Sequence, residues 1–173
     1  MVETAQRSHW FTWSGFALIV LGFLGYLVSY FWLPVLSAML CFDSCAPGGP
    51  TTWALSNAMW ADFSNHSGVT TSVLLAEAFF LLLANLPLVA AVGLVGCSLW
   101  LVVSSPRALV RWLSGIWFVG FIPLLIAAPF LLLFPVRPGV GYGGMFVSYV
   151  LSGIGILLIR AARPELRRVQ RAQ

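Results

Sequence analysis

Four stretches of this chain carry no charged residue: Trp10 to about Met39, about Ala78 to Val103, Trp112 to Phe134, and Gly141 to Ile159. A hydrocarbon core of about 30 Å takes roughly 20 apolar residues of helix. Backbone in lipid must satisfy its own hydrogen bonds, which a helix does within one segment. The sequence therefore predicts an all-α, polytopic transmembrane four-helix bundle, with 1–173 as a single domain. Composition agrees: 60% of residues are hydrophobic and 8% charged, against about 25% charged in soluble domains, too few to cover a water-facing surface. The first run is expected to be a retained helix, because its apolar stretch exceeds the roughly 7–15 residues of a signal-peptide core. Leu40 before Cys41 also speaks against a lipoprotein cysteine.

The connections predict how the spans are arranged. Two of them, 104–111 and 135–141, are short, so spans two, three and four should form an antiparallel meander. The segment 40–72 is long and is expected to be an outer loop. Within it, Leu55, Met59 and Phe63 recur every fourth residue, with Trp53 and Trp60 beside them and a Thr pair after Pro50. That pattern predicts a short amphipathic helix in the membrane interface, or a cap packed on the bundle.

Orientation comes from arginine, since all nine basic residues are Arg. Arg7, Arg107, Arg111, Arg160, Arg163, Arg167, Arg168 and Arg171 fall on one side of the spans, and Arg137 alone on the other. Basic residues at span ends stay cytoplasmic. The expected location is the cell membrane, multi-pass, with both termini and the tail 160–173 in the cytoplasm. Trp10, Trp13, Trp100 and Trp112 would mark the inner interface, and Tyr30, Trp32, Trp53, Trp60 and Tyr142 the outer one. Trp117 fits neither belt. The net charge of +4 sits beside apolar spans, so it points to the lipid bilayer as partner and not to nucleic acid. Arg163, Arg167, Arg168 and Arg171 are the residues expected to meet anionic headgroups.

Lipid removes most of the hydrophobic drive for pairing helices, so small residues that admit close backbone approach mark the seams. Gly15, Gly22 and Ser29 recur on span one, and Gly144, Ser148 and Ser152 on span four. Ala90, Gly93 and Cys97 share a face of span two. Such seams serve packing within the chain, a homo-oligomer, or other membrane subunits. Pro34, Pro87, Pro123 and Pro129 are expected to bend the first three spans.

Four side chains offer chemistry. Cys41 and Cys45, in CFDSC, face an oxidising compartment in this orientation, so a disulfide is the first expectation. Alternatives are a redox pair, although the spacing is CxxxC and not CxxC, free thiols, or a soft-metal site with Asp43 and His66. Asn65-His66-Ser67 matches a glycosylation sequon. Glu77, at the outer end of span two, is a candidate ion or proton site, with Asn85 about two turns deeper. No span contains His or paired carboxylates, so a bis-His haem, an intramembrane Ser–His hydrolase and a carboxylate-metal transferase lack their residues. No cofactor and no metal is expected. The function expected is a non-enzymatic accessory or scaffold subunit. The alternatives are a small transporter or channel using Glu77 and kinked spans two and three, and a membrane thiol–disulfide enzyme using Cys41 and Cys45.

Overall fold

The computed structural model describes residues 2–35, 49–65, 71–104, 109–133 and 139–171. They form five helices: α1 (Val2–Phe31), α2 (Thr52–Asn65), α3 (Thr71–Ser104), α4 (Leu109–Leu133) and α5 (Val140–Arg171). Four are long and apolar enough to cross a membrane, over Trp10–Phe31, Leu81–Val102, Val110–Pro129 and Val140–Ala162. Cys41 and Cys45, with the CFDSC motif, lie outside the described residues, as do His66 and Arg107. The expected disulfide has no support here; among the described residues Cys97 is a free thiol.

The first span is shorter than its apolar run. The sequence stays apolar to Met39, but α1 ends at Phe31 with Trp32 and Leu33 both bonding back to the Val28 carbonyl. Pro34 is the reason, because it has no amide to continue the ladder and holds its predecessor away from helical geometry. Pro34 therefore does not kink a span. It lies in an extended stretch and forms an antiparallel bridge with Thr51. Around it the chain ties three segments together by backbone alone. Val35 N–H donates to Pro50 O at 2.9 Å, Gly139 N–H to Val35 O at 2.8 Å, and Gly141 N–H to Pro34 O at 2.9 Å. A Cβ on Gly141 would lie 2.6 Å from the Leu33 carbonyl oxygen, so the strand-like approach needs glycine there.

In the bundle, α1 packs against α5 and α3, and α4 packs against α3 and α5. This is a square with α1/α4 and α3/α5 on its diagonals, and it contains the expected meander. The α5 span is the most enclosed, with 44% of its window buried against 22–28% for the others, which makes α5 the central helix. The α1–α5 seam is glycine against backbone. A Cβ on Gly15 would sit 2.6 Å from Gly155 O, and one on Gly22 would sit 2.6 Å from Ser148 O. Ser29 lies against Gly144, and Ser152 against Gly22. Ser29, Ser148 and Ser152 each donate to a carbonyl one turn back in their own helix, so their hydroxyls reach the seam already bonded.

The short helix α2 packs against α3 and α1 as a cap. Thr51 Oγ1 accepts from Ala54 N–H at 3.2 Å, an N-cap bond. Leu55, Met59 and Phe63 are half-buried, but the fully buried positions are Thr52 and Ser56. The inner face of this helix is thus partly polar, because it sits on polar side chains of the bundle.

Candidate functional site

Beneath α2, polar side chains from three helices and a Met sulfur from a fourth meet inside the bundle. Tyr30 of α1 donates to Asn85 Oδ1 of α3 at 2.7 Å. The Asn85 amide donates to Ser56 Oγ of α2 at 2.9 Å and to the Leu81 carbonyl at 2.8 Å. Thr52 points its hydroxyl at the Met145 sulfur of α5, 3.8 Å away. Asn85 lies four residues inside the Leu81 end of its span, about 6 Å deep at 1.5 Å per residue.

Deeper, Tyr149 of α5 crosses the diagonal of the square and donates to the Pro87 carbonyl of α3. Tyr149 is nine residues into its span, about 14 Å, near mid-bilayer. Gly120 of α4 makes room for it, since a Cβ there would strike the Tyr149 hydroxyl and the Ala90 Cβ. Two more bonds bring in α4: Trp117 Nε1 donates to the Tyr149 carbonyl at 2.7 Å, and Tyr142 donates to the Leu124 carbonyl. Trp117, which fits neither interfacial belt, is placed at mid-depth by that bond.

Tyr26 sits at the centre. Its ring packs edge-on to Tyr149 at 5.6 Å and stacks on Tyr30 at 6.0 Å. It is 1% exposed, and its hydroxyl has no hydrogen-bond partner among the described residues. The cleft beside it is lined by Ile19, Gly22, Leu94, Ser148 and Ser152 and has no room for a water molecule.

The arrangement consists of phenol, amide and hydroxyl groups, which donate and accept hydrogen bonds without carrying charge. Its chemical capacity is cross-linking. Through side chains alone, α1, α2, α3, α4 and α5 are all joined. Asn85, expected as part of an ion site, is occupied by Tyr30, Ser56 and Leu81. Glu77 lies in α3 two turns above it, four residues outside the apolar window that begins at Leu81. The structure brings Gly15, Gly22 and Ser29 together with Gly144, Ser148 and Ser152. It places Ala90 against Gly120 and Gly93 against Ile116, on the α3–α4 contact.

Residue-type reasoning did not single out Tyr26, Ser56 or Tyr149. A signal was available: a phenol within a span needs a partner for its hydroxyl, and Tyr26 and Tyr30 share a face one turn apart. No family model, curated protein or solved structure matches this chain.

Proposed function

We propose that this protein is a non-catalytic membrane subunit whose role is to pack against the helices of a partner within the bilayer. The observation that carries this reading is how the interior is used. Among the described residues, its buried hydrogen-bonding side chains, Tyr26 apart, are spent on tying the five helices to one another or to their own backbone. What the protein offers is its outer faces. Transport by way of Glu77 and the kinked helices would need a polar route past Asn85. That direction is filled by Tyr26, Ile19 and Leu94, each 2% exposed or less.

Exposed glycines support a place for a partner helix. Those of the α1–α5 seam, together with Gly120, are explained by close internal contacts. Gly96 of α3, Gly115 of α4 and, at the other end of the bundle, Gly143 of α5 are exposed, and a Cβ on any of them would meet nothing. The Gly93–Ile116 and Ala90–Gly120 contacts set the antiparallel register of α3 and α4, which brings Gly96 level with the turn carrying Gly115. Glycine inside a helix costs about 1 kcal/mol relative to alanine, and internal packing does not offset that cost here. Close approach of another helix would. The same reading puts the protein in the cell membrane with both termini in the cytoplasm, from the arginine asymmetry.

The test is quantitative isolation from mild detergent of the wild-type chain and of Gly96→Leu/Gly115→Leu. The expected result is a stoichiometric membrane partner, or a second copy, that is lost in the variant while the unfolding midpoint is unchanged. A wild-type chain that is monomeric and partner-free overturns the reading, as does ion flux in proteoliposomes that Glu77→Gln abolishes.

A further inference from the structure

We propose that the cytoplasmic rim between α4 and α5 is a binding site for an anionic phospholipid, with Arg111 and Arg160 holding the headgroup phosphate. The α4–α5 register follows from three contacts: Trp117 Nε1 to the Tyr149 carbonyl, the Trp117 ring against Gly153, and Tyr142 to the Leu124 carbonyl. Continued toward the other end, this antiparallel register sets Arg160 opposite positions 106–110, about 2–8 Å beyond Arg111 along the helix axis at 1.5 Å per residue. Both arginines are exposed. Two positive charges on neighbouring helices at that separation are within reach of one phosphate, which guanidinium groups bind through paired N–H donors.

Depth selects lipid over a soluble anion or an acidic protein. Arg111 is one residue inside the end of the window Val110–Pro129, and Arg160 is two residues inside the end of Val140–Ala162. Both therefore emerge where the hydrocarbon gives way to headgroups, a layer about 5–7 Å deep on each side. A macromolecule in solution would have to enter that layer to reach them. Trp100 and Trp112, 61% and 67% exposed, stand at the same inner boundary, where indole rings favour the headgroup level. Further in, Phe118 of α4 and Leu157 of α5 are exposed apolar residues against which acyl chains can lie.

The helix α5 runs without interruption to Arg171, and its sequence carries Arg163, Arg167, Arg168 and Arg171 beyond the apolar window. Arg167 is about 7–8 Å past the end of the apolar window at 1.5 Å per residue. That is within one Debye length, about 8 Å at physiological salt. On the inner side the eight arginines are accompanied by two acidic residues, Glu3 and Glu165. The positive-inside rule accounts for which side the arginines occupy. It does not account for two of them lying within about 8 Å in height on adjacent helices.

The experiment is native mass spectrometry of the full-length protein after equilibration with equimolar phosphatidylglycerol and phosphatidylcholine in mixed micelles. The expected result is selective retention of phosphatidylglycerol, with apparent affinity about 30-fold lower in Arg111→Gln/Arg160→Gln, the loss of two headgroup charges. Arg111→Lys/Arg160→Lys keeps the charges and should keep the selectivity, so a folding defect in the glutamine variant would not hide the answer. Equal retention of the two lipids by the wild type overturns the proposal, as does unchanged retention in the glutamine variant. So does inorganic phosphate alone displacing the lipid completely at equal concentration, because the site would then take a free anion.

Discussion

Replacing Tyr26 with Phe should make the protein more stable. The substitution removes one oxygen and keeps the ring, and with it the edge contact to Tyr149 and the stacking on Tyr30. A buried polar group left without a partner costs about 1–3 kcal/mol. The Tyr26 hydroxyl is such a group, 1% exposed and unpartnered, beside a cleft that admits no water. Tyr149→Phe and Tyr30→Phe are the matched controls, because each deletes a hydroxyl that donates to α3. Interhelical hydrogen bonds inside membranes average about 0.6 kcal/mol. Tyr26→Phe should therefore gain about 1 kcal/mol while the two controls lose about 0.5–1 kcal/mol. For a chain of this length, 1 kcal/mol moves the midpoint by roughly 2–4 °C. Thermal unfolding of the three variants in one detergent, followed by tryptophan fluorescence, reads the difference. A midpoint for Tyr26→Phe that falls as far as that of Tyr149→Phe would show that the Tyr26 hydroxyl is bonded in the folded protein, and would refute the accounting of the core.

Further outcomes separate the other contacts. Gly22→Leu drives a side chain into the Ser148 backbone and should cost about 3 kcal/mol or more; a cost under 1 kcal/mol in detergent unfolding would rule out the close α1–α5 approach. Asn85→Leu leaves Tyr30 and Ser56 without their shared partner and should cost about 1–2 kcal/mol. Adding Tyr30→Phe to it should recover part of that loss in a double-mutant cycle, and strict additivity would show that the pair does not interact. In a cysteine-free background, Ser64→Cys should react with an impermeant thiol reagent on intact cells and Ala172→Cys should not. The opposite pattern would reverse the orientation.

The number of spans was legible because lipid leaves few ways to place an uncharged apolar run of more than about 18 residues. The α1–α5 seam was legible for a related reason, since Gly15, Gly22 and Ser29 repeat on one helix and Gly144, Ser148 and Ser152 on the other. Which helix faced which was not, because small-residue spacing carries no label for its partner. The end of α1 was misplaced by eight residues for want of weight on Pro34, whose missing amide outranked five further residues of apolar sequence. The polar cluster was hardest to see. Asn85 stood out as an amide in an apolar run, but its partners come from Tyr30, 55 residues earlier, and from Ser56 of the cap. Such pairings follow from the square arrangement of helices, which no local pattern encodes.

The two ends of the bundle are built differently, and this bears on where partners engage it. At the outer end, backbone bonds join Pro34, Val35, Pro50, Gly139 and Gly141, and side-chain bonds join Tyr30, Ser56 and Asn85. These interactions are directional and fix register. Past Tyr149, toward the other end, the described residues meet by close packing: Gly15 against Gly155, and Leu101, Val110, Leu113 and Ile159 in the core. Ser98, buried there, donates to the Val95 carbonyl of its own helix and links nothing. Of the features that internal packing leaves unused, Gly96, Gly115, Arg111 and Arg160 lie in this half, and Gly143 lies near the start of α5 at the other. Close packing between helices is not directional, so a further helix or an acyl chain can join it without breaking a hydrogen bond. An outer end locked by polar bonds holds the helix positions while the inner faces stay open to what surrounds them. Under the proposed reading, that division is a physical reason for lipid and partner helices to engage the half of the bundle that lies away from α2.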